Sequence, residues 1–305
     1  MEGRRLNLLC IDGGGIKGLS ALYIIRKLME FIDHDNPPKP CKVFDMIGGT
    51  STGGLIAVML GRLDMTVDEC IEQYRTLQNN VFHEMNKIER SSSTQGRYDH
   101  VALEEAVKVL LRSRGRHENE LLKNLDENGC KVFVTVTNSG SSTAEVIASY
   151  YRRRGSAEVW NIAKIWEAIR ATSAAPDLFA PINIGIRRYL GGGTGANNPV
   201  SVMWREASDH FCSDGSLEDE LNCLVSIGSG IKSLTRFGES TSALRRTLAA
   251  IATETEATAR GFLDTRFALF DAGIYHRFSA PSVGDVAIEK PEDTSVVQMT
   301  DHYIS

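Results

Sequence analysis

The sequence predicts an α/β fold, with a mostly parallel central sheet covered by helices on both faces. Three observations lead there. Short apolar runs alternate with stretches of helical periodicity, the pattern of strand–helix–strand units. Runs such as LNLLCI at 6–11 are apolar without alternation, as strands buried on both faces are. Several runs end in glycine-rich turns, DGGG at 12–15, GGT at 48–50, GGG at 191–193 and GSG at 228–230, which gathers the functional loops along one edge of the sheet.

The elements follow in order. Residues 6–11 form a buried strand, and 19–31 carry apolar residues at helical spacing until Asn36-Pro37-Pro38 stops the run. Residues 43–47 read as a second strand and 53–60 as a buried helix. Thr66-Val67-Asp68-Glu69 is a capping box, with Thr66 at the N-cap and Glu69 three residues on. The helix it opens sets Val67, Cys70, Ile71, Tyr74 and Leu77 on one face. Residues 89–99 are polar and read as a surface loop, and 101–111 as an amphipathic helix. Strands are expected at 131–137, 146–151, 187–190 and 223–227, and helices at 161–172 and 242–262.

The 305 residues, 42% hydrophobic and 24% charged, have globular composition and enough length for a sizeable core, in one large α/β domain or two smaller ones. A net charge of -5 supplies no global basic field, so nucleic acid is not expected as a partner. Six cysteines lack CxxC or close Cys/His spacing, which points to reduced thiols in an intracellular protein and to no metal site. The first apolar run is too short for a signal peptide, and no stretch reaches the ~18 apolar residues of a membrane span. Lipid contact is therefore expected to be peripheral, on a cytoplasmic protein. The terminal VVQMTDHYIS ends without a helix-stop signal, compatible with the N-terminal part of a longer protein.

Two motifs carry chemistry. Gly49-Thr50-Ser51-Thr52-Gly53 is GxSxG between a strand and a helix. That spacing places a serine on a tight turn at the top of the sheet, with small neighbours that let strand and helix close around it. Alone, the same pattern also occurs as an ordinary glycine-rich turn. Asp12-Gly13-Gly14-Gly15-Ile16-Lys17-Gly18 matches GxGxxG, which raises a dinucleotide site. That reading needs an acidic residue about 20 positions on, and Asp33 and Asp35 lie instead at a helix end before prolines. The better fit is an oxyanion hole: glycines let successive backbone N–H groups point into one space. A tight turn with no ligand is the plainer alternative.

CIDGGGIKG at 10–18, GGTSTGG at 48–54, ATSAAPDLFAP at 171–181 and GANNPV at 195–200, in that order, resemble the patatin-like phospholipase family, with the fungal intracellular members nearest. The resemblance runs from about residue 6 to about residue 278. It implies a three-layer α/β/α fold, a single domain over 1–305, and hydrolysis of fatty acyl esters of phospholipids or neutral lipids without metal or cofactor. It implies a Ser–Asp dyad with Ser51 as nucleophile, an oxyanion hole at Gly13, Gly14 and Gly15, and a basic residue, Lys17, after the glycine loop. The family's base lies in Asp-Gly-Gly or Asp-Gly-Ala shortly before Asn-Asn-Pro. Here the stretch reads Gly191-Gly192-Gly193-Thr194-Gly195-Ala196-Asn197-Asn198-Pro199, so Gly191 stands at the position of the dyad aspartate.

General-base catalysis is worth roughly 10²–10⁴-fold, so the chain is expected to be inactive or strongly impaired. The alternative is a non-catalytic lipid-binding or interaction module that retains the fold. Two residues offer a replacement base: Asp177, otherwise an exposed loop acid, and His276, which follows Ser51 in the chain order of an α/β-hydrolase triad. His83, His100, His117 and His210 read as surface residues. Asp12 either orients the glycine loop or is an Asx-turn acid. Asn197 and Asn198, before a helix with Pro199 at its start, support the site structurally. Arg152-Arg153-Arg154 and Arg187-Arg188 are either headgroup contacts or, more in keeping with the acidic balance, solvated edges.

Overall fold

The computed structural model describes residues 5–81, 96–176, 178–212, 215–231, 254–281, 283–286 and 293–305. Eight strands form one sheet in the order β5-β6-β3-β2-β1-β7-β8, with β4 also paired to β3. β1 (Leu6–Ile11), β2 (Met46–Thr50), β3 (Lys131–Asn138), β7 (Leu221–Ile227) and β8 (Tyr275–Phe278) run parallel. β4 (Thr143–Ala148), β5 (Ile182–Ile184) and β6 (Arg187–Gly191) add antiparallel pairings at one side.

The sheet divides the core into two layers because side chains alternate across it. Leu9, Ile11, Ile47, Val134 and Ile227 pack into one apolar cluster. Helices α1 (Gly18–Ile32), α3 (Val67–Val81), α4 (His100–Ser113) and α5 (Ile165–Thr172) bury Leu22, Tyr74, Leu103 and Ile169 in it. Leu8, Cys10, Met46, Phe133 and Leu224 pack into the other, against Met203 of α6 (Val200–Phe211) and Phe262 of α7 (Glu256–Thr265). The three-layer arrangement is the one expected from the apolar runs. The capping box of α3 is present as read: Thr66 N–H donates to Glu69 at 2.8 Å, and Glu69 N–H to the Thr66 hydroxyl at 3.2 Å.

Some boundaries differ. The second strand begins at Met46 because Pro40–Val43 forms a helical turn with Pro at its start. The run at 161–172 is two helices, Ala157–Ile162 and α5, broken where Ala163 turns extended. Residues 96–99 of the expected surface loop are anchored: Tyr98 is buried against the Phe179 ring, and its N–H donates to Leu178 O at 3.0 Å. The rest of that loop, and most of the helix expected at 242–262, lie outside the described residues; α7 is the described part of the latter. The strand expected at 146–151 is β4, starting three residues earlier, and that expected at 187–190 is β6; the short strands β5 and β8 carry no strong apolar run, which is why periodicity passed over them. Among the described residues no helix is long and apolar enough to cross a membrane, no cluster of metal-ligating side chains occurs, and all six cysteines are free.

Candidate active site

Ser51 sits between β2 and α2 (Thr52–Ala57) with φ 54° and ψ −122°, in the region that L-residues avoid. The turn is held from both sides. Ser51 N–H donates to the Thr172 hydroxyl at 2.7 Å, and Leu55 N–H donates to Ser51 O at 2.9 Å. The flanking glycines are required by close approach: a Cβ on Gly49 would meet Gly53 O at 2.2 Å, and one on Gly53 would meet Ile11 O at 2.4 Å. Strand and helix backbones thus nearly touch, and the serine between them stands half-exposed at the sheet edge.

The sheet brings Gly191 to the same place. β3 has two edges. β4 occupies one, opposite residues 133–138 of β3. β2 pairs with residues 131–135 and β6 with 136–138, so both lie on the other edge, end to end. Thr50 is opposite Thr135 and Gly191 is opposite Val136, which sets the C-terminal end of β6 against the residue before Ser51. Gly191 is buried, with its N–H donated to Ala174 O at 2.8 Å and its carbonyl accepting from the Thr137 hydroxyl at 3.0 Å. A Cβ there would point at the backbone just after Thr172, 2.8 Å from Ala175 N and 3.1 Å from Ala174 C.

The glycine loop ends β1, one strand over. Gly13 N–H is taken by Asn197 O at 3.0 Å, and its carbonyl by the Ser229 hydroxyl at 2.8 Å. Gly14 is half-exposed, its N–H donated to the Thr52 hydroxyl at 3.2 Å. Gly15 O accepts from Tyr74 Oη at 2.6 Å. The loop is therefore pinned on three sides, and of its three N–H groups that of Gly13 is committed to the protein's own backbone. Asn197 and Asn198 are structural, as read: Asn198 accepts from Val200 N–H at 3.0 Å and donates to Thr255 O at 3.0 Å. Lys17 is buried, with Nζ donating to Gly284 O at 3.3 Å.

Asp12 is neither an Asx-turn acid nor a loop-orienting one. It is buried on the opposite face and gripped by Arg277, at 2.7 Å and 3.1 Å. Arg277 also donates to Glu256 at 2.6 Å and to Ser226 at 2.9 Å. Burial pushes the Asp12 carboxyl up to about 6, against the pull of Arg277. Burial opposes charge on Arg277 too, but Asp12 and Glu256 outweigh it and hold the guanidinium above its ordinary value.

Of the two substitute bases, His276 is not brought to Ser51. His276 is exposed on β8, three strand spacings from β2, roughly 14 Å, and its Nε2 contacts Gly273 O at 3.0 Å. Asp177 and His83 lie outside the described residues. His210 is half-buried rather than at the surface, its ring 4.7 Å from that of Tyr150, and burial lowers its pKa. Thr52, Thr172, Ser229 and Tyr74 were not singled out from the sequence. Thr172 lies inside one of the four motifs and Ser229 inside a glycine turn, so position marked them; Tyr74 looks like core because all but its hydroxyl is.

A family model described as patatin-like phospholipase matches residues 9–204. The calcium-independent phospholipase A2-gamma of Oryctolagus cuniculus is 33% identical over 237 residues, covering 75% of this chain and 29% of its own. Phospholipase A I of Arabidopsis thaliana is 31% identical over 283 residues, covering 74% of this chain and 21% of its own. The chain thus spans less than a third of the length of these curated relatives. A solved structure, VipD from Legionella pneumophila, overlaps 98% of this chain and 67% of its own at 13% identity and a TM-score of 0.47.

Proposed function

Because this chain belongs to the patatin-like phospholipase family, we propose that it is built as a serine acyl-ester hydrolase for phospholipids from which the proton acceptor is missing. One observation carries the reading: a strained, half-exposed Ser51 follows the strand end that abuts Gly191, a residue with no side chain to offer. In an intact site an aspartate at 191 takes the Ser51 proton as Oγ attacks the acyl carbonyl. The backbone N–H of Gly15 holds the oxyanion, joined by that of Gly14 when it leaves the Thr52 hydroxyl. Gly13, with both its polar groups already bonded, acts as the anchor. Water then resolves the acyl-enzyme. Without the carboxylate the Ser51 hydroxyl stays protonated, and turnover falls by roughly 10²–10⁴-fold. Neither metal nor cofactor enters this scheme. The phospholipid substrate follows from the names of the relatives, and access to it follows from a cytoplasmic protein that touches membranes peripherally.

A specific observation favours a second reading. The Ala174–Ala175 backbone lies so close to Gly191 that a side chain there needs it to move. A pocket closed in this way suits a lipid-binding module that no longer hydrolyses. The test compares the chain, its Gly191→Asp variant and the Gly191→Asp, Ser51→Ala double variant, on a short-chain chromogenic ester and on phospholipid vesicles. A gain of about 10²-fold on Gly191→Asp, abolished by Ser51→Ala, supports the hydrolase reading. A folded but inert Gly191→Asp protein that still binds vesicles supports the module instead. Fast, Ser51-dependent turnover by the unaltered chain would show that the base lies elsewhere.

A further inference from the structure

We propose that a cavity of about 320 Å³ beside the edge strand β4 binds a phosphate-bearing group, at a place distinct from Ser51. Neither Ser51, Gly191 nor the glycine loop lines it. Four guanidinium groups do: Arg152, Arg154, Arg187 and Arg205. Their carboxylate partners are Glu145 and Asp209 in the wall and Glu206 behind it, leaving an excess of positive charge.

The four arginines are not equivalent. Arg152 is committed: its Nε and Nη2 each bond Glu206 at 2.6 Å, and its Nη1 donates to Val146 O at 3.1 Å. It closes part of the free edge of β4, where another strand could otherwise pair, and forms a fixed wall. Arg187 reaches Glu145 only at 3.3 and 3.4 Å. Arg154 stands 3.6 Å from Asp209 and Arg205 3.8 Å from Glu206, both beyond hydrogen-bonding distance, with side chains 76% and 50% exposed. Two guanidinium forks therefore border the cavity with their donors directed at no close acceptor.

A second observation points the same way. Trp160 lines the cavity, and its Nε1–H is buried without a hydrogen-bond partner among the described residues. An orphaned buried donor costs about 1–3 kcal/mol; this one lies beneath the cavity surface, and a ligand acceptor removes that cost once the ring turns its N–H into the cavity. The cavity is thus bordered by two loosely paired guanidinium groups, with a further orphaned donor just beneath its wall. A phosphate monoester supplies three acceptor oxygens and a charge matched to guanidinium forks, which one carboxylate cannot spread as widely. Tyr151, edge-on to Trp160 at 5.4 Å and 56% exposed, forms an apolar lip for the organic part of the ligand.

The test uses ¹⁵N-labelled protein and follows the indole N–H signals of its three tryptophans, with Trp160 assigned by Trp160→Phe. The probes are glycerol 3-phosphate, with acetate and potassium chloride at matched ionic strength as controls. Phosphatidylcholine vesicles with and without phosphatidic acid are assayed in parallel by sedimentation. Glycerol 3-phosphate is expected to shift the Trp160 signal downfield saturably and leave that of Trp204 in place. Arg154→Gln and Arg205→Gln, both at exposed side chains, are expected to weaken binding about tenfold each. Arginine-dependent binding to phosphatidic acid vesicles alone would equally support the site and assign the phosphate to a lipid headgroup. An equal shift with acetate or chloride overturns the proposal. So does binding of either probe that is unchanged in the folded double variant, or no response to either probe.

Discussion

At Ser51 the backbone stores strain for position. A non-glycine residue at φ 54° costs of the order of 1–3 kcal/mol and persists only where its surroundings dictate it. Here they do, through Thr172 and Leu55. Ser51→Gly is therefore expected to stabilise the fold by about 1 kcal/mol in urea denaturation; an unchanged or lower midpoint would mean the turn is relaxed. Gly191→Ala isolates the steric part of the missing aspartate. Its Cβ meets Ala175 N at 2.8 Å, so it is expected to cost about 1–3 kcal/mol and to gain no esterase activity. If Gly191→Ala gained activity as Gly191→Asp does, the gain would come from repacking and not from a proton acceptor.

Elements explain how two residues 140 positions apart come together. β2 and β6 occupy successive halves of one edge of β3, so their ends abut wherever the register is kept. Thr172, at the last turn of α5, ties that helix to the serine turn, and the segment just after it presses on Gly191. Thr172→Val removes the acceptor of the Ser51 N–H and is expected to cost about 1 kcal/mol and to slow labelling of Ser51 in a Gly191→Asp background. Thr172→Ser should restore both, and labelling that ignores Thr172→Val would remove it from the site. Away from the site, Thr66→Ala breaks the capping box of α3 and is expected to cost about 1 kcal/mol with no change in hydrolysis.

Across the whole molecule, the Asp12–Arg277–Glu256 network ties β1, β8 and α7 together beneath the glycine loop. Its pH dependence has a definite sign. The folded Asp12 holds its proton up to about pH 6, whereas an unfolded aspartate releases it near 4. Between these values the folded chain binds more protons than the unfolded one, so this group's contribution to stability is present below about pH 4 and lost as pH rises through 6. The chain is therefore expected to lose more stability from pH 4 to pH 6.5 than its Asp12→Asn variant, in paired urea titrations. Parallel curves for the two proteins would mean that Asp12 titrates alike in the folded and unfolded chain.

The sequence by itself determined the layered α/β class, because strands buried on both faces must be apolar throughout and the helices covering them apolar on one side. It also determined Ser51, since only small residues allow the contact of Gly49 with Gly53, and that demand is local. It marked Gly191 by what stands around it. Tertiary structure decided the rest. Local pattern could not show that Asp12 would be spent on an arginine 265 residues later, since a carboxylate's partner is chosen by the sheet and not by its neighbours in the chain. Nor could it show that Gly13 would give its N–H to Asn197, that Thr172 would hold the serine turn, or that β6 would finish the edge β2 leaves open. Each depends on which strand ends meet, and strand order is a property of the assembled sheet.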